Sequence, residues 1–126
     1  MDTENILAQA REQLAREGAD VAALENRAAE LRDAAPAERD ALLKNFHAAA
    51  EPLPYAMDSD FGALLLESEA AQCADRAWKA TLFGEALHRA QSCAAAATAG
   101  GEGLARMQDV RRIEAKLAAL SPHGPR

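Results

Sequence analysis

The residues of this chain whose types and spacing could do chemistry are few. Glu85-Ala-Leu-His88 places a carboxylate and an imidazole one helical turn apart. Di-iron bundles use that spacing, but they use it twice and add two further glutamates. Here it occurs once, and His47 and His123 stand in no second Glu-x-x-His, so the expected reading is a solvated surface pair and no metal is assigned. Lys44 and His47 are one turn apart, the sole support for a histidine phosphotransfer domain. Such domains place a lysine after the histidine and a glycine beside it, whereas Ala48-Ala49-Ala50 follow here. Cys73 and Cys93 form neither a CxxC pair nor a disulfide framework and read as small buried thiols. His88 lies five residues before Cys93 and therefore on a different helix face. There is no Gly-x-Ser-x-Gly elbow and no Gly-rich phosphate loop. Asp58, Asp60, Glu67 and Glu69 are clustered without the calcium-loop pattern, so a helix cap plus solvated charges is expected. No catalytic residue or cofactor is assigned, and the expectation is that the chain is not an enzyme.

Composition points the same way. The 126 residues fit one domain able to bury a modest core without disulfides. With 14 Lys and Arg against 20 Asp and Glu, the formal charge is -6, which works against a long contact with a phosphate backbone, so nucleic acid is not expected as a partner. Met1-Asp2-Thr3-Glu4-Asn5 is acidic where a secretory signal is basic, and the longest apolar runs, such as Ala63-Leu64-Leu65-Leu66, fall far short of the roughly 20 residues of a membrane span. A cytoplasmic chain with no membrane contact is expected. Alanine, the best helix former, makes up about a quarter of the sequence, while β-branched and aromatic residues are scarce. The fold class expected is all-α, an antiparallel bundle of four or five helices over residues 1–126 with a flexible tail from about 121.

The elements can be placed from caps and periodicity. Thr3 to Glu17 reads as a helix ended by Gly18, and Asp20 as the cap of a second one to about Asp33, with Val21, Leu24, Ala28 and Leu31 on one face. Pro36 suits the first turn of a third, whose apolar set is Leu42, Leu43, Phe46 and Ala50, and Pro52 closes it. Residues 51–60 form the main loop, because Pro52 and Pro54 cannot continue a helix. From Phe61 to about Thr98 the pattern stays helix-compatible, with Gly62 and Gly84 as weak points and Gly84 able to kink or split it. Trp78 should lie in or near the core. Gly100-Gly101-Glu102-Gly103 reads as a flexible turn.

The last helix carries the cleanest amphipathic stripe: Leu104, Met107, Val110, Ile113, Leu117 and Leu120 recur every three or four residues. Asp109, Arg111, Arg112, Glu114 and Lys116 lie off that stripe and read as a polar rim. Behind a glycine hinge, these six apolar residues are expected to face a partner, either another protein or a second copy of the chain. Leu53, Tyr55 and Met57 in the loop are the next apolar residues needing cover. Leu14 to Glu25, with its helix-break-helix pattern, and Leu104 to Leu120 together resemble the small acidic helical chaperones of flagellar and type III export. The resemblance covers about a third of the chain, and Pro52-Leu53-Pro54 departs from that group. It implies an α-helical protein-binding adaptor or chaperone. A structural homo-oligomer is the alternative, ahead of a phosphotransfer or metal-binding bundle.

Overall fold

Among the described residues, the turns before α4 are set at helix ends by a glycine, by capping carboxylates and by prolines. In a computed structural model, residues 3–97 and 101–120 are described, and they form six α-helices. Gly18 takes the left-handed conformation (φ +84°) that ends α1 (Thr3–Arg16), and the Ala19 N–H donates back to the Leu14 carbonyl at 3.0 Å. The Asp20 carboxylate accepts from the Ala23 N–H and opens α2 (Val21–Arg32), and Arg11 and Glu25 pair at 2.6 Å across the resulting hairpin. Pro36–Glu38 is a short 3-10 turn leading into α3 (Arg39–Ala50), as proline at a helix start allows. The loop then runs from Glu51 to α4 (Phe61–Gln72), which Asp60 caps by accepting from the Ala63 N–H at 2.9 Å.

The single helix expected from Phe61 to about Thr98 is not formed. Cys73 is extended (φ -74°, ψ 134°), and Asp75 accepts from the Trp78 N–H at 3.1 Å to start α5 (Arg76–Ala95). The break allows α5 to fold back on α4, so that each buries its apolar flank against the other. Gly84 is an ordinary interior residue of α5, where an added Cβ would meet nothing within 4 Å. This break raises the helix count from the expected four or five to six.

The fold is an all-α bundle arranged around α4, which packs against α1, α2, α3 and α5. Phe61 to Glu67, Glu69 and Ala70 are buried, so α4 is covered nearly all round, as its run of Ala63-Leu64-Leu65-Leu66 requires. Trp78 is buried in the same core and donates its indole N–H to the Leu31 carbonyl at 2.7 Å. The guanidinium of Arg39 lies 4.9 Å from its ring centre. Helix α6 (Gly101–Ala118) runs antiparallel along α5: Arg76 donates to the Leu120 carbonyl at one end, and Arg106 to the Cys93 carbonyl at the other. Among the described residues no helix is long and apolar enough to cross a membrane. The flexible turn expected at Gly100 to Gly103 is not formed as such, since residues 101–103 are already the first residues of α6; Gly100 and the tail from 121 lie outside the described residues.

Ile113 has no exposure and Val110 only 4%. Truncating Ile113 to Ala should therefore cost about 2–5 kcal/mol by loss of burial and creation of a cavity. Leu104→Ala on the same helix should change stability by less than about 0.5 kcal/mol. Urea denaturation of both variants checks the contrast, and equal effects would mean that α6 is not seated as described.

Candidate functional site

The six-residue stripe on α6 divides in two. Val110 and Ile113 lie in the intramolecular core, and Leu117 and Leu120 pack against it, so these four do not form a free face. Leu104, 66% exposed, and Met107 remain on the surface. The periodicity was a reliable sign of which residues share a face. It could not say that α5 already occupies most of that face.

Of the polar residues beside the stripe, Arg111 and Glu114 are exposed as a rim would be, but Asp109, Arg112 and Lys116 are not. Glu67 of α4 is fully buried, and its carboxylate receives two hydrogen bonds from Arg112 (2.8 and 2.7 Å), one from Lys116 (2.7 Å) and one from the Thr3 hydroxyl of α1 (2.9 Å). Arg112 also donates to Asp109 at 2.8 Å, and the other Asp109 oxygen accepts from the Ser59 hydroxyl at 2.6 Å. One connected set of charges thus ties α1, the loop before α4, α4 and α6 together. Burial pushes the Glu67 carboxyl upward, but the hydrogen bonds and charges of Arg112 and Lys116 outweigh it, and the group is held below its ordinary value. The same carboxylate raises Arg112. Glu69, expected with Glu67 to be solvated, is also buried and pairs with Arg32 at 2.8 Å. The available signal was positional: a charge inside a helix apolar on every side must be paired.

Ser59 anchors one end of a tight turn. Ala56 and Ser59 form an antiparallel bridge through two backbone hydrogen bonds of 3.0 and 2.9 Å, leaving Met57 and Asp58 as its two central residues at φ 54° and 58°. Consecutive left-handed residues mark the hairpin turn that normally selects Asn-Gly. Holding L-residues there costs about 1–2 kcal/mol each, and such strain persists where surrounding contacts over-determine it. Here the backbone bridge and the Ser59–Asp109 bond do so. The turn projects Met57 outward, 48% exposed, beside Ala105 and Gln108 of α6. Tyr55, also exposed, lies under the Arg106 guanidinium at 4.8 Å, and on the other flank Met107 borders Ala94 and Ala95 of α5. Exposed apolar side chains therefore surround the first turns of α6.

The chemistry-bearing residues are engaged elsewhere. Glu85 bonds to His47 Nε2 at 2.8 Å rather than pairing with His88. Arg89 Nη1 lies 3.0 Å from His47 Nδ1. A guanidinium only donates, so Nδ1 accepts and Nε2 carries the proton toward Glu85. In this tautomer neither ring nitrogen offers a lone pair to a phosphoryl group. Among the described residues no group of three or more His, Cys, Asp or Glu could hold a metal ion. Both cysteines are buried, and burial, partly opposed by Arg106, pushes the Cys93 thiol up to about 11. No known protein family, curated protein or solved structure matches the chain.

The Glu67 cluster makes stability depend on pH in a defined direction. A carboxyl whose folded value is depressed binds its proton more weakly folded than unfolded. Its contribution is therefore complete above the unfolded range near about pH 4.3 and is lost as pH falls through the folded value. Glu67→Gln leaves Arg112 and Lys116 without their shared counter-charge and should cost about 3–5 kcal/mol at neutral pH. Denaturation curves should also show a shallower acid dependence in the variant than in the wild type.

Proposed function

We propose that this chain is a non-catalytic protein-binding module, an adaptor or export-chaperone-like protein, whose partner docks on Tyr55, Met57, Leu104 and Met107. The observation that carries this reading is the strained turn at Met57-Asp58. A sequence with glycine there would relieve the strain. Instead, the left-handed pair is clamped from both sides and presents a flexible, polarisable methionine to solvent. Methionine suits surfaces that adapt to another protein, and left-handed non-glycine residues collect at functional sites. Leu104 and Met107 add further exposed apolar area at the start of α6.

This placement revises the expected interface. It keeps Leu104 and Met107 and replaces Val110, Ile113, Leu117 and Leu120, which serve the chain's own core, with the loop residues Tyr55 and Met57. The resemblance of residues 14–25 and 104–120 to export chaperones favours the same class of activity, the holding of another protein's segment.

Affinity capture from native extract with the wild type and with Met57→Asp plus Leu104→Asp tests the reading. The wild type should retain a specific protein that the variant loses by at least about tenfold, with the thermal midpoint unchanged to within a few degrees. Retention by both proteins would refute the docking surface. A molar mass that rises with concentration in light scattering, and falls back to monomer in the variant, would assign the surface to a second copy instead. Asp58→Gly should raise stability by up to about 1 kcal/mol by removing one strained residue, as chemical denaturation would register.

A further inference from the structure

A cleft with no α6 residue in its walls lies between α3, the proline-rich loop and α5. Its volume is about 560 Å³, within the usual range for small-ligand sites, and His47, Glu51, Tyr55, Asp60, Glu85 and His88 are among its walls. We infer that this cleft binds a basic group, an ammonium or guanidinium.

The case rests on which charges in the cleft are already committed. Its one cation is Arg89, and all three guanidinium nitrogens are used: Nε and Nη2 bond Asp60 at 2.6 and 3.2 Å, and Nη1 bonds His47 at 3.0 Å. Three of its five N–H donors are taken and its charge is paired with Asp60, so an incoming anion finds no unpaired guanidinium. Asp60 is likewise spent, since it accepts from the Ala63 N–H as well. The two more exposed carboxylates are different. Glu51 has no side-chain partner among the described residues, and Glu85 uses only Oε1, toward His47, leaving Oε2 open. Beside the imidazoles of His47 and His88, three carboxylates face one guanidinium, and the open acceptors are on the two more exposed carboxylates, Glu51 and Glu85. A cation with several N–H donors satisfies both features.

The back wall is built to stay in place. Arg89 and Asp60 are largely buried as a pair, and Arg89 lies so close to α4 that a Cβ on Gly62 would fall 2.7 Å from its Nε and 3.2 Å from the Ala50 Cβ. Gly62 therefore makes room for the guanidinium that neutralises Asp60 and fixes the His47 tautomer. His47 in turn orients Glu85 through its Nε2 proton. The result is a carboxylate held in a set direction, with its second oxygen free, rather than a mobile surface acid. This inference does not depend on the docking surface above, since Tyr55 is the only residue they share.

The basic group could belong to a small free cation or to an arginine side chain, so the test carries both. The full chain is titrated with agmatine and with the capped tripeptide Ac-Leu-Arg-Leu-NH2, and followed by calorimetry and backbone amide shifts. Ac-Leu-Gln-Leu-NH2 and inorganic phosphate serve as controls. At least one guanidinium probe should saturate shifts at Tyr55, Glu85 and Ser92, and the controls should bind at least tenfold more weakly. Glu51→Gln, at an exposed site, and Glu85→Gln, which keeps an oxygen for the His47 proton, should each weaken binding about tenfold without moving the thermal midpoint. Tighter binding of the tripeptide supports the site with a protein side chain as its ligand, and tighter agmatine supports it with a small cation. Absence of saturable shifts at those residues, equal binding of the glutamine peptide, preferential binding of phosphate, or unchanged affinity in both variants would overturn the inference.

Discussion

Glu67 lies at the centre of the bundle with no exposure, and every side chain that bonds its carboxylate comes from another helix. Taking a carboxylate out of water costs several kcal/mol unless the site repays it with well-placed partners. Here the repayment is Arg112 in a two-pronged contact, Lys116, and the Thr3 hydroxyl. Since those donors sit on α1 and α6, the first and last helices are held to α4 in one register. A slip of α6 by a turn would leave the acid unpaired. Apolar packing alone tolerates such slips more readily, because alanine-rich surfaces offer few distinctive shapes.

That constraint changes the meaning of α6. An amphipathic helix behind a run of glycines looks detachable when read by itself. Once its Arg112 and Lys116 are committed to a buried acid and its Val110 and Ile113 to the core, lifting it away would expose both apolar area and an unpaired charge. Asp109 extends the constraint to the loop, through Ser59, and so fixes the turn that displays Met57. Among the described residues, the large apolar side chains left exposed are those of the loop, Tyr55 and Met57, and of the first turns of α6, Leu104 and Met107.

A second polar chain runs from Asp60 to Arg89 to His47 to Glu85. It joins α3 and α5 to the start of α4, as the Glu67 cluster joins α1 and α6 to the middle of it. In each case a carboxylate on or beside α4 is neutralised from a flanking helix. This helix core uses ion pairs where the small volume of alanine leaves its apolar contacts thin.

Local rules decided much of this in the sequence itself. Gly18, Asp20, Pro36, Pro52 and Asp60 act within a few residues of themselves, so the end of α1, the starts of α2 and α3, the end of α3 and the start of α4 follow from caps and ring constraints. The all-α class follows from alanine's propensity, and the burial of Trp78 from its size. The Cys73–Asp75 break was legible in part, since Asp75 can cap a helix, but the pattern on both sides was equally compatible with one long helix. Folding back won because α4 and α5 bury more together than end to end. What tertiary structure alone decided was which apolar face has a neighbour and which charge has a partner. Leu104 and Ile113 belong to one periodic stripe, yet one is exposed and the other is core. Glu67 and Arg112 are 45 residues apart, and His47 and Glu85 are 38. No spacing rule links residues at such separations, because their meeting depends on how helices pack, and that is a property of the whole chain.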